Sequence, residues 1–238
     1  MERTDILPIG SAAGSGGAIT APAYGLTRGD IRRVFQGRVA GPDRCGGTQR
    51  GDHELNPGML PLSELRAASV LVPLVDRAEG FSVLLTQRTA HLSRHAGQIA
   101  FPGGRIEPTD AHPVAAALRE AEEEVGLPES HVEIVGRLDT YITGTGFEII
   151  PVVGLVRAPY PARPDPYEVA EIFEVPLDFV IDPLNLQRGT REWKGATRTF
   201  FALPYGHRYI WGATAGMLVN LAEVLAEGEL PERPRTDF

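Results

Sequence analysis

Three carboxylates, Glu120, Glu123 and Glu124, sit within the stretch Leu118-Arg119-Glu120-Ala121-Glu122-Glu123-Glu124-Val125-Gly126. On a helix at about 100° per residue they span an arc of roughly 100°, nearly opposite a stripe of Val114, Leu118, Ala121 and Val125 that spans roughly 60°. Acids at i, i+3 and i+4 repel one another by about a few tenths of a kcal/mol per pair when exposed. These also crowd the C-terminal half of the helix, where the macrodipole disfavours anions. A solvated acidic face is the ordinary outcome of a bare glutamate run. A cluster of hard oxygens is equally what Mg²⁺ or Mn²⁺ coordinates, which turns the repulsion into binding. Two neighbours favour the cation. Pro102-Gly103-Gly104 lets backbone come close to a ligand and offers the Gly104 carbonyl as a further oxygen. Arg119 and Asp110 form a pair that would fix this loop against the helix.

The elements that must position these groups follow from periodicity and punctuation. Pro113 suits the first turn of a helix running to Val125, and Gly126 suits its C-terminal cap. Ala68–Val75 and Phe81–Thr86 are short apolar runs around Asp-Arg-Ala-Glu-Gly and read as a hairpin. A third apolar pulse, Gln98–Phe101, runs into the Pro-Gly-Gly turn. Strands are predicted at 132–142, 147–156 and 197–203, a short element at 169–175, and a final packing helix at 213–226 with Met217, Leu221 and Leu225 on one stripe. A short helix starts at Thr27 with Ile31, Val34 and Phe35 on one face. Residues 1–26 read as a flexible tail and 41–58 as a loop within a 27–64 extension; 65–228 form the main domain and 229–238 a C-terminal tail. Strands and helices mix without strict alternation, which predicts an α+β sandwich with a mixed sheet.

Composition closes off other classes. The chain has 238 residues, 42% of them hydrophobic, so it can build a sizeable core. With 31 acidic against 23 basic side chains the net charge is −8, which argues against duplex nucleic acid as a partner. No apolar run reaches the roughly 18 residues needed to cross a bilayer. A single cysteine, Cys45, suggests a reducing compartment, and a bacterial cytoplasm is the expected location.

Gly104-x5-Asp110-x8-Arg119-Glu120-Ala121-x-Glu123-Glu124-x-Gly126-Leu127 resembles the Nudix box, the loop–helix signature of Nudix hydrolases. Asp110 replaces the usual first Glu, and one extra residue separates it from Arg119; both departures match the coenzyme A pyrophosphatase branch. Upstream, Leu84-Leu85-Thr86-Gln87-Arg88-Thr89, Gly97 and Phe101-Pro102-Gly103-Gly104 are similar to that branch's second signature. There the branch has Ser-x3-Arg after Arg88, and this chain has Thr89 and Ser93, with Arg94 adjacent. The resemblance covers about residues 65–226.

The resemblance implies an α/β/α sandwich and Mg²⁺- or Mn²⁺-dependent hydrolysis of a nucleoside diphosphate linkage. For this branch the substrate is coenzyme A, giving 3′,5′-ADP and 4′-phosphopantetheine. Glu120 and Glu124 are the expected principal ligands, Glu123 a third, and the Gly104 carbonyl a fourth. Such enzymes draw their general base either from the box helix or from a downstream loop, and Glu168 is the loop candidate; an exposed carboxylate is its alternative reading. Arg88, Arg94, His95 and Gly103 are expected to contact substrate, with Asp110, Arg119 and Gly126 structural. Trp211 and Tyr209 are candidates to stack on adenine, although aromatics before a helix more often belong to a core. Dimers are usual for such sandwiches, so a homodimer is one expectation. The competing readings are hydrolysis of a dNTP, ADP-ribose or a dinucleotide, and a catalytically silent nucleotide-binding domain.

Overall fold

The computed structural model describes residues 4–8, 25–38, 49–59, 64–92, 95–193 and 195–227. In chain order its elements are β1 (Thr4–Pro8), α1 (Arg28–Phe35), β2 (Gln49–Gly51), β3 (Arg66–Arg77), β4 (Gly80–Arg88), β5 (Ile99–Ala100), β6 (Gly103–Arg105) and α2 (Pro113–Val125). There follow β7 (Val132–Arg137), β8 (Thr140–Ile142), β9 (Phe147–Arg157), β10 (Val169–Pro176), α3 (Leu177–Ile181), β11 (Gln187–Trp193), β12 (Ala196–Tyr205), β13 (Arg208–Trp211) and α4 (Ala213–Glu227). Among the described residues no helix is long and apolar enough to cross a membrane.

The strand β3 explains the layering. It is buried on both faces, as its near-continuous apolar run requires. Leu71 and Val75 face a core shared with Ala117, Leu118, Ala121 and Val125 of α2. Val70, Val72 and Leu74 face the other way, onto a core with Ile31 and Phe35 of α1, Leu177 and Val180 of α3, and Leu218 and Leu221 of α4. Helices therefore cover both sides of a large mixed sheet of order β10-β4-β3-β9-β8-β2, in which β3 runs parallel to β9 and antiparallel to β4. This is the expected α+β sandwich. A smaller antiparallel sheet, β1-β11-β12-β13, lies beside it.

Several expectations need correction. The 132–142 stretch is two strands, β7 and β8, both pairing with β9. Within the predicted tail, Thr4–Pro8 pairs with β11. Within the predicted 41–58 loop, β2 pairs with β8 and Asn56 is buried. The Asn56 side chain donates to the Thr199 carbonyl at 2.9 Å and accepts from the Thr199 N–H at 2.8 Å, acting as a strand partner for β12 beyond the residues that β13 pairs. Composition marked both stretches as irregular, but strand pairing and a buried amide need only a few residues, which composition averages away. Cys45 and the C-terminal tail lie outside the described residues.

Candidate active site

Helix α2 begins and ends where its punctuation predicts. Pro113 occupies the first turn, the His112 imidazole caps the N-terminus by accepting from Ala115 N, and Gly126 closes the C-terminus in the left-handed conformation at φ 67°. The carbonyls of Glu124 and Val125, left over at that end, accept from Asp165 N at 2.9 Å and Arg163 N at 2.8 Å. The 163–168 loop is thereby tied to the helix end, and it delivers Glu168.

The loop before the helix is held by Arg119. Its guanidinium donates from Nε and Nη2 to the two Asp110 oxygens, both at 3.0 Å, and from Nη2 to the Arg105 carbonyl at 3.3 Å. These bonds join the 105–110 loop to the helix. The forked bonds hold the Asp110 carboxyl below its usual range, and Asp110 in turn accepts from Glu107 N.

The three acids share one side of the helix but not one environment. Arg119 Nη1 donates to both Glu120 and Glu123 at 3.0 Å; Glu123 is 60% exposed, whereas Glu120 and Glu124 are only 18% and 6% exposed and lie against the Pro-Gly-Gly loop. Glu120 lies against Gly104, where any Cβ would collide with its carboxylate. Glu124 accepts from Gly103 N at 3.1 Å and from Arg88 at 3.4 Å. Arg88 also reaches Glu168 at 3.3 Å, so one strand-end arginine bridges the helix and the downstream loop. Burial pushes the Glu124 carboxyl up to about 7; the Gly103 N–H and Arg88 pull it down, and Glu120 and Glu168 push it further up. Burial likewise raises Glu120, against the pull of Arg119. The centre is short of positive charge.

That deficit fits a hard divalent cation. No group of three or more His, Cys, Asp or Glu residues stands in a metal-holding arrangement among the described residues. A cation here would take its protein oxygens chiefly from Glu120 and Glu124, the rest of its shell being water and substrate, which is the habit of Mg²⁺.

The other predicted residues are distributed unevenly. Arg88, His95, Gly103 and Gly104 line a cavity of about 560 Å³. His95 adopts φ 56° and bonds Gln98 at 2.7 Å. Arg88 is shared between two carboxylates, and the Gly103 N–H is given to Glu124. Ser93 and Arg94 lie outside the described residues. Trp211 lines the cavity, its ring edge-on to Phe200 at 5.1 Å. Sequence reading did not anticipate the cavity's other walls: Arg66, stacked 3.9 Å over Phe147 on the large sheet, and Arg191, Trp193 and Arg198 on β11 and β12. Their alternation along adjoining strands was the available signal.

Comparison with known proteins gives consistent matches. The model of the NUDIX domain matches residues 65–193. The Nudix hydrolase NudL of Escherichia coli (strain K12) is 43% identical over 162 residues, covering 66% of this chain and 81% of that protein. Among solved structures, the Nudix hydrolase RenU from M. Smegmatis is 24% identical, with a TM-score of 0.46 over 72% of this chain and 92% of that one. The NUDIX domain of Shewanella oneidensis NrtR, solved with ADP ribose, is 20% identical, with a TM-score of 0.38 over 55% and 84%.

Proposed function

Because the chain belongs to the Nudix domain family, we propose that it hydrolyses a nucleoside diphosphate linkage with Mg²⁺ or Mn²⁺, and that its substrate is coenzyme A or a derivative. The products are then 3′,5′-ADP and 4′-phosphopantetheine. One observation carries the reading: two buried carboxylates of one helix meet the Gly103–Gly104 turn at the edge of a cavity whose walls hold arginines and aromatic rings.

Glu120 and Glu124 hold the cation, with the Gly104 carbonyl beside them and Glu123 at the outer edge. When bound, the cation neutralises the diphosphate and lowers the pKa of an attacking water. Arg119 and Asp110 keep the loop and helix in register, so the carboxylates need no rearrangement. Glu168 is half-exposed and held by Arg88; it is the group that takes the proton from the attacking water. Reaction then rests mainly on positioning and charge neutralisation, as phosphoryl chemistry requires.

Ser93, standing where the branch signature has Arg, keeps ADP-ribose, a dinucleotide or a dNTP as the second reading. The test is a panel of these substrates and coenzyme A with each metal, with products identified. Coenzyme A should give the highest kcat/KM and release 3′,5′-ADP. Hydrolysis of another nucleotide but not of coenzyme A transfers the assignment to that nucleotide, and no turnover of any of them supports a silent binding domain.

A further inference from the structure

Arg191 of β11 and Arg198 of β12 are direct cross-strand partners. Like charges in that position repel, yet both side chains line the cavity, together with Trp193, Phe200 and Trp211 from the same small sheet. The Arg191 guanidinium lies 5.9 Å from the centroid of the Trp211 ring. Arg198 Nε is buried without a hydrogen-bond partner. Leaving a charged N–H donor unsatisfied in a buried position costs stability unless something else satisfies it. The one acid among the described lining residues, Asp52, has both oxygens engaged, one by the Tyr141 hydroxyl at 2.8 Å and one by Gly144 N at 2.7 Å. The machinery on α2 and the Pro-Gly-Gly turn belongs to the other sheet and its covering helix, and it does not satisfy the buried Arg198 Nε.

We propose that the inner face of β11–β12 is a second anion subsite of the same cavity, taking a phosphomonoester on the part of the ligand remote from the hydrolysed bond. A guanidinium with Nε and Nη free to donate suits a phosphate dianion in forked geometry. Arg191 supplies the second cation, and the neighbouring rings flank the nucleoside to which the phosphate is attached. How the ligand lies across the cavity rests on the diphosphate-hydrolase reading; the test does not.

Titration calorimetry of the full chain in EDTA compares adenosine 3′,5′-bisphosphate with adenosine 5′-monophosphate. Both carry the 5′ group, so repulsion by Glu120 and Glu124 is common to the two. The wild type should bind the bisphosphate at least roughly tenfold more tightly, the scale of one charge-assisted contact. Arg198→Met should bring that preference below about threefold, and Arg198→Lys should recover part of it. Equal wild-type affinities, or no binding of either nucleotide, overturn the subsite whatever substrate is hydrolysed. An unchanged preference in Arg198→Met of wild-type thermal stability overturns it too; should that variant not fold, Arg191→Met makes the same comparison. A strong bisphosphate preference in an enzyme that does not cleave coenzyme A leaves the subsite standing and removes only the substrate assignment.

Discussion

Glu120, Glu123 and Glu124 are chemically identical side chains, and their surroundings separate them. Glu124 is the extreme case, since its carboxyl is pushed up to about 7 from an ordinary 4.5. The folded chain therefore holds a proton that the unfolded chain releases above about pH 4.5. This group's contribution to stability is intact below that pH and is lost as pH rises through about 7. In EDTA, Glu124→Gln should melt with the wild type near pH 4.5 and gain steadily above it, levelling off beyond pH 7 at no more than about 3 kcal/mol. With Mg²⁺ or Mn²⁺ the order should reverse, because the metal raises the wild-type melting temperature and not the variant's. A pH-independent difference in EDTA would remove the buried-acid account. The i,i+4 spacing of Glu120 and Glu124 was legible in the chain. Which acid is buried was not, because Gly103 and Arg88, which close over Glu124, lie elsewhere in the sequence.

The loop–helix unit depends on two adjacent glycines with different tasks. A Cβ on Gly103 would stand 2.5 Å from the Ser69 carbonyl and 2.6 Å from the Val70 Cα, both immovable strand backbone. The nearest atoms to a Cβ on Gly104 are those of the Glu120 carboxylate, the end of a flexible side chain that can swing away. Gly103→Ala should therefore destabilise the fold by more than about 2 kcal/mol in denaturant melts. Gly104→Ala should keep the wild-type melting temperature within about 3 °C yet lose roughly a hundredfold or more in kcat/KM, since it displaces the Glu120 carboxylate proposed to hold the cation. Equal thermal losses in the two variants would refute this division. Both glycines, the helix bounds and the Arg119–Asp110 clamp were readable from spacing alone, because each is set within a stretch of about twenty residues.

The folded unit reaches well beyond the matched residues 65–193. Ile31 and Phe35 of α1 are fully buried in the main core, and Gly136 is the close-approach site for the Phe35 ring. Phe35→Ala should cost about 3–5 kcal/mol. Asn56→Ala removes the partners of the half-buried Thr199 N–H and carbonyl and should cost about 1–3 kcal/mol. Urea melts of both variants check these values; an unchanged midpoint for either would mean that its segment is an appendage. The sequence placed the Thr27 helix and its Ile31 and Phe35 face correctly, while β11, β13 and α3 went unassigned. β11 is almost entirely polar and β13 is only four residues long, so neither carries a strand pattern of its own, and both become recognisable only when paired with β12.

The sequence by itself determined the acidic helix with its caps, the glycine turn and the arginine clamp, because local sterics and hydrogen bonds act over neighbouring residues. Only the tertiary structure decided which carboxylates leave water, where Arg88 spends its charge, and that two arginines meet across β11 and β12 inside one cavity. Burial and charge pairing are properties of groups brought together from distant parts of the chain, and no local pattern fixes their separation.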